Sequence, residues 1–315
     1  MPYLKMRDGE DVYVRTIGRG RPCLVLHGFG MHSGHWLPFL APFLATNRFI
    51  IPDMRGFGRS HTTPYNSPCI LTNNVEDIED ILKQLAITKV NLIGLSLGAF
   101  TALQWHKLSR FSNVEHYLNI DQSPLVLNNE TWKWGIFGDE SEIRMNRLSE
   151  VLSVVRELPA TTLYEHLPSW IRTAMWQELS KFISSAVVHP HQKKMVQKVC
   201  KNEKLIRTFL PTENWLAYAN CLEAYIQQDY DMRPYLEHIS IPVTLMAGRK
   251  SEMYPWQGQA YMLQQIPNAK MVIFERSGHL PLFDEPLRFT YELGKFLHRA
   301  NASKHNNKPS WIPAI

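Results

Sequence analysis

The pentapeptide Gly94-Leu95-Ser96-Leu97-Gly98 has the clearest chemical content in this chain. It follows an apolar run at residues 90–93 and precedes residues 99–108, which pattern as a helix. A G-x-S-x-G between a strand and a helix is a nucleophile elbow. The abrupt turn forces the serine into a strained backbone conformation, so the positions two residues either side must be minimal. It also lifts the hydroxyl to a helix N-terminus, where free N–H groups and the helix dipole favour developing negative charge. A serine hydroxyl is a weak nucleophile until a base of near-neutral pKa accepts its proton, which points to histidine. Of the 13 histidines, His279 stands apart. It follows the apolar run at residues 271–274, in the setting Gly-His-Leu-Pro, just before Glu285-Pro286. His106, His116, His189 and His191 have no comparable setting.

The elements that must position these residues follow from short apolar runs bounded by Gly, Pro or Asp. Residues 3–6 and 12–17 flank Asp8-Gly9, a dipeptide that favours a tight hairpin turn. Residues 23–26, 49–51, 90–93, 116–120, 243–247 and 271–274 suit strands buried on both faces of a parallel sheet. Val75, Ile78, Leu82 and Leu85 recur at helical spacing, with Asn74 as the expected N-cap and Asp77 three residues on. Phe289, Leu293, Phe296 and Leu297 fall on one face of a closing helix. Alternation of strand and helix predicts βαβ units with right-handed crossovers. Residues 123–236 read differently. They carry helical patterns, such as Met145, Leu148, Leu152 and Val155, no convincing strand, and five of the nine tryptophans.

Three further segments stand in order around the elbow. His27-Gly28-Phe29-Gly30 follows the run at residues 23–26. Asp53-Met-Arg55-Gly56-Phe-Gly58-Arg-Ser60 follows the run at residues 49–51, and Ser277-Gly278-His279 follows the run at residues 271–274. Together with the elbow these resemble the α/β-hydrolase family over nearly everything outside the central segment. The resemblance implies a mostly parallel eight-stranded α/β-hydrolase sheet with an inserted helical cap. Residues 1–122 and 237–300 would form the core, residues 123–236 the cap, and residues 301–315 a frayed tail. It also implies an oxyanion hole made by the backbone N–H of Leu97, directly after the nucleophile, and that of Phe29. His27, Asp53 and Arg55 are expected to brace the loops rather than react.

The third member of the triad departs from the family's usual pattern. The acid commonly stands after the strand that follows the cap, in a G-x-x-D pattern. Here the segment reads Gly248-Arg-Lys-Ser251-Glu252, with serine at the expected position and Glu252 displaced by one. Some relatives, notably a group of haloalkane dehalogenases, carry the acid after the preceding strand. In this chain that strand is residues 116–120, and Asp121 ends it. Asp121 is therefore the expected acid and Glu252 the alternative. The nucleophile is serine and not aspartate, so dehalogenation and epoxide hydrolysis are not expected.

Composition narrows the classes further. With 44% hydrophobic and 20% charged residues, the chain is neither disordered nor fibrous. A net charge of +5 without a basic run predicts no nucleic-acid partner. Cys23, Cys69, Cys200 and Cys221 match no metal or disulfide spacing. His189-Pro190-His191 is a lone pair, so no metal is expected, and acyl transfer needs no cofactor. No run approaches the roughly 18 apolar residues of a membrane span. With no secretory signal, Asn129-Glu-Thr and Asn301-Ala-Ser count as chance glycosylation matches, and the expected location is cytoplasmic. Oligomeric state is left open.

These features predict a serine hydrolase acting through an acyl-enzyme on Ser96. Its substrate would be a carboxylic ester, lactone or thioester of a small, largely apolar molecule. Trp36, Trp134 and Trp170 are candidates for the pocket wall. The alternatives are a ligand receptor reusing the fold, or a C–C hydrolase or perhydrolase with the same triad.

Overall fold

The computed structural model describes residues 2–67, 69–159, 162–200, 202, 215–227 and 230–302. One sheet of eight strands organises them: β1 (Tyr3–Lys5), β2 (Asp11–Gly18), β3 (Arg21–Leu26), β4 (Asn47–Pro52), β5 (Val90–Leu95), β6 (Val114–Ile120), β7 (Val243–Gly248) and β8 (Ala269–Phe274). Their spatial order is β1-β2-β4-β3-β5-β6-β7-β8. β1 and β2 pair antiparallel, as do β2 and β4, and every later neighbour is parallel. Seven of the strands include the apolar run picked out in the sequence, extended by one to three residues, while β1 ends at Lys5 and leaves Met6 of its run outside.

Both faces of the sheet are buried, which is why its strands read as unbroken apolar runs. Alternate residues of β3 point to opposite sides. Leu24 and Leu26 join the layer containing Ile78, Phe100 and Trp105. Cys23 and Val25 join the other, with Trp36, Phe289, Leu293 and Phe296. The first layer is covered by α1 (Ile70–Gln84) and α2 (Leu97–Ser109). Between β6 and β7 come α3 (Ser141–Arg156), α4 (Ser169–Ser185), α5 (Pro190–Cys200) and α6 (Trp215–Gln227), with no strand among the described residues. The chain then adds α7 (Trp256–Gln265) and α8 (Pro286–Ala302). Asn301 and Ala302, expected in the tail, close α8, and residues 303–315 lie outside the described ones. Among the described residues no helix is long and apolar enough to cross a membrane.

α1 corrects one expectation. It starts at Ile70, so Asn74 is interior and not the N-cap. Asn74 Nδ2 donates instead to Thr101 Oγ1 at 3.3 Å. Asp77, expected in a first turn, takes both Arg55 Nε at 2.8 Å and Nη2 at 2.7 Å. Arg55 is 1% exposed and is also held by Asp8 at 2.7 Å. Local helix signals gave way here to a tertiary demand, the neutralisation of a buried guanidinium. Asp77→Ala leaves that charge with one carboxylate, Asp8, beside the Pro64 carbonyl oxygen, and chemical denaturation should show a loss of about 3–5 kcal/mol. An unchanged denaturation midpoint would contradict this role for Asp77.

Candidate active site

Ser96 stands between β5 and α2 with φ 51° and ψ −119°, a backbone conformation that side chains other than glycine rarely adopt. Its glycine neighbours are required by close approach. A Cβ on Gly94 would lie 2.6 Å from Ala99 Cα, and one on Gly98 would lie 2.4 Å from the Leu26 carbonyl oxygen. The strand end is fixed to its neighbour by Ser96 N–H donating to Ile120 O at 3.0 Å.

Residue 121 follows directly on β6. Asp121 also has positive φ, 48°, and its carboxylate is fully buried. Three donors satisfy it. Gly248 N–H reaches Oδ1 at 2.9 Å, Ser251 Oγ–H reaches Oδ2 at 2.7 Å, and His279 Nδ1 reaches Oδ2 at 2.7 Å. The imidazole tautomer follows from its partner, since a carboxylate accepts and Nδ1 must donate. Nε2 is then the nitrogen free to take a proton. Glu252, the alternative acid, points elsewhere: its side chain is half exposed and ion-paired with Lys193. Ser251, at the position where the acid was first sought, instead donates to the Asp121 carboxylate.

The loop carrying His279 is braced by Asp284, a residue that the sequence did not single out. Asp284 Oδ2 accepts from Gly278 N–H at 2.8 Å and from Ser277 Oγ–H at 3.2 Å. β7 approaches this loop so closely that a Cβ on Gly248 would lie 1.9 Å from the Gly278 carbonyl oxygen. On the other side, His27 Nε2 accepts the Met54 N–H at 2.9 Å, and Asp53 takes the N–H groups of Ser33 at 2.6 Å and Arg59 at 2.8 Å. His27, Asp53 and Arg55 thus hold loops, each through buried polar contacts. The Phe29 and Leu97 N–H groups bond to no other described residue. A Cβ on Gly28, the residue before Phe29, would stand 3.5 Å from Ser96 Cβ.

Ser96 and His279 line one cavity of about 310 Å³. Their side chains are not hydrogen-bonded to one another, a looseness common before substrate binds. The wall near the sheet is Gly28 to Met31, His35, Met253, Leu280 and Phe283. The opposite wall is supplied by α4 and α5, through Phe182, Ile183, Met195, Val196 and Val199. Phe29 meets Phe182 edge-on at 5.2 Å and Phe57 at 5.4 Å. A smaller apolar cavity of about 50 Å³ between α3, α4 and α6 includes neither Ser96 nor His279.

None of the three tryptophans expected at the pocket wall lines the cavity. Trp36 is fully buried against Phe289 in the layer behind the sheet. Trp134 packs edge-on against Trp132 at 5.0 Å, and Trp132 in turn meets Tyr261 of α7. Trp170 is 59% exposed at the start of α4. Their size made them candidates, but the cavity wall is built mainly from Phe, Met and branched aliphatic side chains.

A family model described as the alpha/beta hydrolase family matches residues 23–293, and the chain belongs to that family and is an enzyme of the α/β-hydrolase class. It is similar to the pimeloyl-(acyl-carrier protein) methyl ester esterase of Nitrosomonas europaea, 23% identical over 279 residues, covering 89% of this chain and 96% of that protein. The protein of the same name from Aliivibrio salmonicida is 26% identical over 288 residues, 91% of this chain and 96% of the relative. Among solved structures, the esterase EaEST from Exiguobacterium antarcticum superposes with a TM-score of 0.72 at 21% identity, over 94% of this chain and 98% of that one.

Several histidines around the sheet titrate low. Burial is the leading cause for His27, His35, His106 and His116, and it pushes His35 and His106 down to about 4. In the unfolded chain the same groups take up protons near 6.5. Between those values the unfolded state holds more protons, so stability rises with pH across the window. Thermal melts should therefore give a steady Tm above about pH 7 and a falling one as pH drops from 6.5 to 4. A Tm independent of pH over that range would contradict the neutral, buried assignment.

Proposed function

We propose that this protein hydrolyses an ester-type bond of a small, largely apolar substrate by way of an acyl-enzyme on Ser96. The observation that carries the reading is the buried Asp121–His279 pair, which leaves Nε2 to serve a strained serine facing the same cavity. Ser96 Oγ attacks the substrate carbonyl carbon as His279 Nε2 takes the hydroxyl proton. Asp121 holds the imidazole in the required tautomer and stabilises the imidazolium. The oxyanion is received by the N–H groups of Phe29 and Leu97, the latter at the N-terminus of α2. Collapse of the tetrahedral intermediate expels the alcohol, which leaves with the proton from His279. Water then attacks the acyl-enzyme with His279 as base, and the acid product and free Ser96 are restored.

Residues 123–236 act as the cap in this reading, because α4 and α5 supply the cavity wall opposite the oxyanion loop. Among the described residues that wall carries no charged side chain, which favours neutral, apolar acyl groups over ionic ones. The names of the similar proteins support an ester as the bond cleaved. The receptor alternative draws its force from the missing acid at position 251. Asp121 supplies the carboxylate from the neighbouring strand end, which favours turnover.

A panel of short p-nitrophenyl and methyl esters, with fluorophosphonate labelling of Ser96, tests the proposal. Ser96→Ala should lower kcat roughly 10⁵-fold or more and abolish labelling. Asp121→Asn should lower kcat about 10⁴-fold, while Glu252→Gln should change it no more than about twofold. Because Ser251 Oγ touches Asp121 Oδ2, a carboxylate installed there can reach the same imidazole, so Asp121→Asn/Ser251→Asp should recover about tenfold or more over Asp121→Asn. Full activity in Asp121→Asn would rule out this assignment of the acid.

A further inference from the structure

Apart from Ser96 and His279, the cavity has one polar side chain in its described lining, His35. Its ring is fixed from one side. The His32 N–H donates to His35 Nδ1 at 3.1 Å, within a reciprocal cap in which Gly34 N–H donates to His32 Nδ1 at 3.0 Å. The ring also lies against that of His32, with centroids 4.0 Å apart and planes tilted by 38°, and meets Phe283 edge-on at 6.5 Å. A ring nitrogen that accepts an N–H carries no proton, so the neutral imidazole holds its proton on Nε2. Burial, followed by the nearby His32 and His27, pushes His35 down to about 4 and keeps it neutral at ordinary pH. Nε2–H bonds to no described residue. His35 is only half-buried, so this donor is open to a ligand, and an acceptor oxygen brought into a cavity with mostly apolar walls can pair with it. The described lining includes no lysine or arginine, so a free carboxylate would enter unpaired.

We propose that His35 is a specificity-determining residue whose Nε2–H binds a neutral acceptor oxygen of the substrate, remote from the bond cleaved. The substrate class narrows accordingly, from simple alkyl esters to esters bearing a second carbonyl, ether or hydroxyl oxygen. This rests on the ester-cleaving reading of Ser96, and the test keeps the two apart by measuring binding without reaction.

Methyl hexanoate and its 3-oxo, 4-oxo and 5-oxo derivatives are titrated calorimetrically into Ser96→Ala protein. At least one oxo ester should bind about tenfold more tightly than methyl hexanoate. The gain should vanish in Ser96→Ala/His35→Phe, and in Ser96→Ala/His35→Leu should phenylalanine not fit. It should persist in Ser96→Ala/His35→Asn, whose amide can accept from His32 N–H and still donate. No gain for any oxo ester in Ser96→Ala, or a gain that survives loss of the imidazole, would overturn the proposal. Turnover of methyl hexanoate by the unaltered chain tests the ester-cleaving reading separately.

Discussion

A carboxylate sealed from water must find its hydrogen bonds inside the protein, and the site is built around meeting that demand for Asp121. Its three donors come from two other segments, the end of β7 with the turn after it, and the loop after β8. Satisfying one buried charge therefore ties the C-terminal ends of three parallel strands together. The position of the imidazole is a result of that tie, not an independent feature. The cost of leaving such a charge unpaired makes the arrangement stiff, because no partner can move away without exposing an unmet acceptor.

Close approach does the same work on both sides of the serine. The sheet, the elbow and the His279 loop meet at distances that exclude a single Cβ at Gly94, Gly98 and Gly248. These contacts bring the ends of β3, β5, β7 and β8 to one place, where ligands bind in open α/β sheets. The segment between β6 and β7 adds the far wall of the cavity and meets this framework at its loops, with Phe182 against Phe29 and Val188 so near Gly278 that a Cβ there would lie 2.5 Å from Val188 Cγ2.

Most of the framework was legible in the sequence because it depends on local rules. Strands buried on both faces leave unbroken apolar runs, and the elbow and His279 announce themselves by glycine and by position after a strand. The pairing of Asp121 with His279 was legible through the serine at position 251, since a missing carboxylate there points to one elsewhere. The rest depends on contacts between segments far apart in the chain. Nothing local marks Asp284 as the brace of Gly278, or His35 as a cavity residue one position before the buried Trp36. Asn74 looked like a cap until Arg55 imposed its own requirement on α1. The tryptophans were chosen for size, but size fills cores as readily as it lines cavities, and in this chain the core took Trp36.

Ser96 and Asp121, at the ends of adjacent strands, share a backbone conformation with φ near 50° that glycine adopts without penalty. Selection for thermal robustness alone would tend to replace both with glycine, and the substituted chain would lose its proposed nucleophile and acid while keeping its cavity. The same fold thus has a downhill route from catalyst to binder, and remaining an enzyme requires continued selection against that drift.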